Sequence, residues 1–118
     1  MRSNYGVAES DVVVHHVVLP SDPLPIEEWT DADIAARYDE PARAAWRALR
    51  DGRAAGATRF VFVLPAATSA ASEAVRLLAL SAARQWADEG VTVNCIVGAD
   101  NAAAIDFLAS GAVTGKTL

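Results

Sequence analysis

The chain has 118 residues, 53% of them hydrophobic and 21% charged, which suits a single domain with one core. Its formal net charge of −5 argues against a nucleic-acid surface, which needs a basic stripe. Cys95 is the only cysteine, so the sequence excludes an internal disulfide and most cysteine-based metal sites. The apolar runs are too short to span a membrane, and the first ten residues do not resemble a signal peptide. We therefore expect a soluble, cytoplasmic protein.

The first half of the chain predicts one strand followed by two helices. The run from Asp11 to Leu19 is apolar and β-branched, and it is continuous rather than alternating, which is typical of a strand buried on both faces of a parallel sheet. Thr30 is a good N-cap for a helix from about Asp31 to Tyr38. Pro41 should break or kink this helix. A second amphipathic helix should follow and end at Gly52.

The second half continues the alternation of strands and helices. A helix predicted from about Ala66 to Glu89 is apolar on more than one side, so it is either deeply buried or covered by a second chain. The order β-α-β-α-β-α-β implies right-handed crossovers and a parallel sheet, hence an α/β fold. The remaining predicted elements are strands at Arg59–Leu64, Val91–Val97 and Val113–Leu118, with a short helix capped by Asp100 or Asn101 before the last strand.

Two motifs near the end of the chain are specific in their order and spacing. The stretch from Glu89 to Ile96 reads EGVTVNCI, and FLAS at 107–110 is followed by VTGKTL at 113–118. They resemble the Gly-Ile-Arg-Val-Asn-x-Ile strand and the terminal FLAS…VTGxxL of the short-chain dehydrogenase/reductase (SDR) family. The resemblance covers almost all of this chain but about half of the family's domain. It implies a partial Rossmann-like, three-layer fold with about four parallel strands, in the order of the family's strands 4-5-6-7, and flanking helices.

The resemblance implies that residues 1–118 form one SDR-like half-domain, truncated so that the N-terminal Gly-rich part that binds the dinucleotide is missing. The sequence is also degenerate at the family's catalytic positions. The positions of the family's Asn, Ser, Tyr and Lys fall on Pro41, Pro65, Thr68 and Ser72. We therefore expect no cofactor, with NAD or NADP bound only if a partner supplies the binding half.

His15 and His16 are the candidate pocket residues that the sequence itself singles out, because they lie where a strand ends and α/β folds bind ligands. Adjacent strand residues point to opposite faces, so the two rings cannot chelate one ion without a bulge, and we expect no metal. A structural role for both is the alternative to one histidine that lines a pocket. The remnant of a substrate pocket would lie near His15, His16, Pro65, Thr68, Ser72 and Gly98.

The truncation that the resemblance implies would turn Asp11–Leu19, central in the family's sheet, into an edge strand. An apolar edge is a template for pairing, so we expect a second copy, the N-terminal tail or another chain to cover it. The leading hypothesis is a pseudoenzyme that oligomerises or binds a partner, as a homodimer or with a full-length SDR. The alternatives are a small non-redox enzyme of the isomerase or cyclase kind, an oxidoreductase active only with a cofactor-binding partner, and a decayed fragment.

Overall fold

The computed structural model describes residues 11–20, 22–98 and 102–118, and within them the fold is α/β, as the sequence predicts. The predicted helix caps Asp100 and Asn101 lie outside the described residues. Three strands form a parallel sheet in the order β1-β2-β3: β1 (Val12–His16), β2 (Arg59–Leu64) and β3 (Thr92–Val97). The α-helices are α1 (Asp31–Ile34), α2 (Glu40–Ala54), α3 (Ala70–Trp86) and α4 (Ala102–Ala109).

The central strand β2 is buried on both faces of the sheet. Phe60, Phe62 and Leu64 join one apolar cluster with side chains of α2 and α3. Val61 and Val63 point to the opposite face, where they form a second cluster with Leu108 and other residues of α4. The sheet is therefore the middle of three layers, which agrees with the predicted partial Rossmann-like architecture. Among the described residues, no helix has the length and hydropathy needed to cross a membrane.

Strand β1 lies at the edge of the sheet and is shorter than the predicted Asp11–Leu19. The last pair of the β1–β2 ladder is His16 with Val63. Beyond it, the N–H of Val17 still donates to the carbonyl of Val63 at 2.9 Å. The prediction of burial on both faces is wrong for this strand, because Val14 keeps 40% of its surface exposed and His16 is also exposed.

The helical segment predicted to break or kink at Pro41 does not break, and continues through it with a local distortion of the backbone. Proline has no N–H, and its ring would clash with the carbonyl four residues earlier in a regular α-helix. The chain accommodates it by widening one turn, Ala35–Asp39, into a π-helix, in which the N–H of Glu40 donates to the carbonyl of Ala35. Thr30 caps the start of α1 through a capping box with Asp33, as predicted. One continuous helical segment therefore runs from α1 to α2.

Helix α2 does not end at Gly52, as the sequence suggests, but continues to Ala54. Gly52 faces the sheet, where a β-carbon would lie 2.6 Å from Cε1 of Phe60 and 3.1 Å from Cγ2 of Val13. Glycine is needed here because the helix backbone approaches the strand too closely for any side chain, so its role is packing rather than termination.

The segment predicted as a fourth strand, Val113–Leu118, runs parallel to β3, with a bridge between Cys95 and Thr117. The N–H groups of Cys95 and Val97 donate to the carbonyls of Lys116 and Leu118 at 2.8 Å, and those of Gly115 and Leu118 donate to the carbonyls of Val93 and Cys95 at 2.9 Å. The buried amide of Asn94 accepts a hydrogen bond from the N–H of Lys116 and donates one to the carbonyl of Val113, both at 2.9 Å. These side-chain bonds add to the backbone pairing and hold the segment against β3.

Gly52→Ala should lower the free energy of unfolding by about 1–3 kcal/mol, because the added methyl group overlaps the Phe60 ring. At an ordinary position inside a helix the same change stabilises by about 0.5–1 kcal/mol. Urea unfolding measures the difference. Ser81→Ala, at an exposed position of α3, is the control and should change the free energy by less than about 0.5 kcal/mol. A Gly52→Ala protein as stable as the wild type would contradict the close packing.

Candidate functional site

A cavity of about 330 Å³ opens at the carboxyl end of β1, against the helical segment that leads through Pro41. Parallel α/β sheets commonly bind ligands at this end of their strands. Its size is at the lower end of the range for small-molecule sites. The residues around it are His15, His16, Val17 and Val18 from the strand end, and Ala36, Glu40, Pro41 and Ala44 from the helical segment.

His15 and His16 both line this cavity although they leave the strand on opposite faces. The ring of His15 lies toward the α2–α3 side of the sheet and meets the edge of the Phe62 ring, with centroids 5.6 Å apart at 66°. Partial burial, with a smaller contribution from the charge of His16, holds the pKa of His15 below its usual value. His15 is therefore neutral at pH 7, when its two nitrogens can donate one hydrogen bond and accept one.

Thr68 and Ser72 lie away from this cavity, at the start of α3. The hydroxyl of Ser69 accepts from the N–H of Ser72 at 3.1 Å, and the hydroxyl of Ser72 accepts from the N–H of Ser69 at 3.0 Å. This reciprocal pair is a capping box that satisfies two free amides of the helix. Ser72 is buried in this role, while Thr68 lies exposed in the preceding turn.

Of the three other predicted positions, Pro41, Pro65 and Gly98, one lines the cavity and two do not. Pro41 lines the cavity with the histidines, whereas Pro65 follows β2 and does not contribute to it. Gly98 has a φ of +92°, and its N–H donates to the carbonyl of Leu64 at 3.0 Å, which closes the end of β3 against β2. The cavity thus joins His15 and His16 to Pro41, and it does not include Pro65, Thr68, Ser72 or Gly98.

Glu40 is the cavity residue that the sequence did not single out. It lies four residues after Ala36 and four before Ala44, a spacing that places all three on one side of a continuous helix. A helix interrupted at Pro41 would not have placed them together, which is why the pattern escapes a reading of the sequence. The carboxylate is loosely held, 3.9 Å from the guanidinium of Arg47, with 63% of its side chain exposed.

The described residues do not form a metal site or a glycine-rich dinucleotide cradle. Across 11–20, 22–98 and 102–118, no three His, Cys, Asp or Glu side chains come together as metal ligands would. The described residues of the turns after β1 and β2 contain no glycine, so neither turn allows the close backbone approach that a pyrophosphate needs.

No protein-family model matches the chain, and no curated protein matches it in sequence. Solved structures do match. YwfH, an NADPH-dependent reductase involved in bacilysin biosynthesis, superposes with a TM-score of 0.71 at 14% identity over 90% of this chain. LugOII, a promiscuous reductase that catalyses keto-reduction at C1 during lugdunomycin biosynthesis, gives a TM-score of 0.71 at 18% identity over 92% of this chain. The chain shares the fold of these reductases.

The match spans 63% of the YwfH chain and 57% of the LugOII chain. At these low identities it supports the resemblance found in the sequence at the level of the fold. It also corrects one expectation. We expected no cofactor, and this expectation is overturned by the finding that YwfH, which shares the fold, is NADPH-dependent.

The neutral state of His15 should make stability depend on pH. The unfolded chain binds a proton at His15 near a pKa of about 6.5, whereas the folded chain resists it, so folding weakens as the pH falls below that value. Urea unfolding at pH 7.5 and 5.5 measures the loss. His15→Gln should show a shallower loss than the wild type over this interval, and an equal loss in both proteins would contradict the assignment.

Proposed function

We propose that the chain is a partner-binding half of a nicotinamide-dependent reductase fold and does not itself supply the groups that transfer hydride. Further parallel strands pair with the free edge of β1 and carry the turn that binds the dinucleotide. The proposal holds whether those strands belong to a second polypeptide or to a longer form of this one. The observation that carries it is the edge of β1 that no strand of the described residues pairs with.

The free edge follows from the direction of the backbone groups in β1. The carbonyl of Asp11 and the amide of Val17 both bond to the β2 side, each at 2.9 Å. Backbone groups alternate in direction along a strand, so the intervening even-numbered residues turn theirs away from β2. Within the described ranges no strand lies on that side of β1. The outward N–H and C=O groups belong to Val12, Val14 and His16.

The part of the two reductases that the match does not cover also supports the pairing of further strands with this edge. More than a third of YwfH and of LugOII has no counterpart in the chain. A strand with unpaired backbone groups and exposed apolar side chains, such as Val14, is a template for another strand. Strands that complete the reductase sheet would satisfy these groups and would bring the dinucleotide-binding turn, which the turns after β1 and β2 do not provide.

The residues at the start of α3 support the proposal that other parts of the assembly carry the catalytic groups. The family resemblance places the catalytic Tyr and Lys positions on Thr68 and Ser72, and neither can act in that way. A threonine hydroxyl does not have the acidity of a phenol, and Ser72 carries no positive charge and is engaged as a cap. The groups that transfer hydride and protons would therefore come from elsewhere in the assembly.

Val14→Lys should abolish assembly through the β1 edge, because a charged side chain on an exposed edge strand opposes pairing. Native mass spectrometry of the protein purified from its own cells, with NADPH added, should show the wild type in a larger assembly that carries the nucleotide. Val97→Lys places the same charge at the end of β3, at a residue of similar exposure, and should leave the assembly intact. A wild-type chain that stays a lone 12.4 kDa polypeptide would refute the proposal.

The outer face of α2 and α3 supports a second element of the proposal, a homodimer. Trp46 is 46% exposed and Leu77 is 52% exposed, although both are large and apolar. Trp46 and Leu78 line two shallow cavities on this face, and the guanidinium of Arg50 lies 4.6 Å from the centre of the Trp46 ring. Exposed Trp flanked by Arg is the composition of an interface hot spot. We assign this face to a second copy of the chain.

Trp46→Glu should shift the protein from dimer to monomer in analytical ultracentrifugation at tens of micromolar, because it removes the apolar anchor and puts a charge into the interface. Tyr38→Glu, which changes another partly exposed aromatic residue outside α2 and α3, should leave the dimer unchanged. A wild-type protein that sediments as a monomer would exclude this interface.

A further inference from the structure

The free edge of β1 leads directly into the cavity at its carboxyl end. His16, whose backbone faces outward, lines the cavity, and so does Val18 two residues later. A strand that pairs with β1 would therefore pass the mouth of this cavity. In strand addition the backbone provides affinity, and pockets beside the edge select particular side chains.

The charge of the cavity favours one class of side chain. Its walls are mostly apolar, from Val17, Ala36 and Ala44 among others. Among the described residues, Glu40 contributes the single carboxylate of the lining, and no lysine or arginine lines it. The pKa of His15 is lowered by its partial burial, so at pH 7 this ring adds no positive charge beside the Glu40 carboxylate.

The ion pair between Arg47 and the Glu40 carboxylate is weak enough to leave this carboxylate available for another cation. Arg47 approaches it at 3.9 Å, and both side chains are about half exposed or more. An ion pair with this geometry contributes little to stability, so a cation that enters the cavity can replace it at little cost.

We propose that the strand which pairs with the free edge of β1 inserts a lysine side chain into the cavity lined by His15, His16 and Glu40. The methylene stem lies against the apolar walls while the ammonium group reaches the Glu40 carboxylate. A carboxylate would be repelled by Glu40, and an aliphatic side chain would make no ion pair with it. This inference rests on the proposed pairing along β1 and adds the feature that selects the partner strand.

A set of peptides tests the selection. The probes are fluorescein-labelled heptapeptides with the sequence Thr-Val-Thr-Lys-Thr-Val-Thr, and versions with Leu or Glu in the central position. Fluorescence polarisation with the full chain should show the Lys peptide binding about tenfold more tightly than the Leu peptide, the factor of a modest charge-assisted contact. The Glu peptide should bind most weakly. Equal binding of the Lys and Leu peptides would overturn the inference, as would no binding of the Lys peptide.

Two substitutions locate the effect. Glu40→Gln removes the charge without changing the size of the side chain, and it should reduce the preference for Lys over Leu to near unity. Glu28→Gln removes an exposed carboxylate that does not line the cavity, and the preference should remain. A preference that survives Glu40→Gln would show that the cavity does not select the side chain.

The same variants separate this inference from the pairing on which it rests. If Val14→Lys disrupts the native assembly while the peptides show no preference for Lys, pairing along β1 stands and the lysine anchor is excluded. If Val14→Lys changes neither the assembly nor the binding of any peptide, the pairing itself is wrong. Loss of binding of all three peptides in Val14→Lys, with the Lys preference intact in the wild type, supports both.

Discussion

Burial of β2 on both faces is the constraint on which the rest of the structure depends. Phe60 and Phe62 fix the position of α2 and α3 on one side, and Val61 and Val63 fix α4 on the other. Both layers must approach the strand closely, since buried apolar surface contributes most of the stability of such a domain. β1 pairs with one side of β2, and the C-terminal segment pairs with β3 on the other side, so both can be more exposed without loss of the core.

The cavity beside β1 originates in the way one proline is accommodated. Pro41 is buried near the start of α2, and the π-helical turn Ala35–Asp39 absorbs its missing N–H. Because the helical segment continues instead of breaking, it presents Glu40 to the end of β1, next to two histidines far away in sequence. A local backbone adjustment thus determines the charge of a site formed by a long-range contact, and π-helical turns often occur near functional sites.

Much of the fold could be predicted from the sequence, because local signals agree with the tertiary structure. The run Arg59–Leu64 is the strand predicted from its β-branched and aromatic residues, and Thr30 is the cap predicted from its position. The predictions failed where distant residues decide the outcome. Gly52 reads as a helix end but serves close packing against Phe60. The cavity could be predicted only at its histidines, because Glu40 joins them through tertiary contact. The cofactor expectation failed because it relied on motifs that the chain does not contain.

The C-terminal segment, held against β3 through Asn94, also shields the one thiol of the protein from solvent. Cys95 is buried, and burial raises its pKa to about 11, although a hydrogen bond with Thr117 acts in the opposite direction. The thiolate is the reactive form of cysteine, so a labelling reagent reacts with Cys95 only when the covering segment detaches. The rate of labelling at Cys95 then measures how often this part of the fold opens under native conditions. Cys95 can therefore report local unfolding.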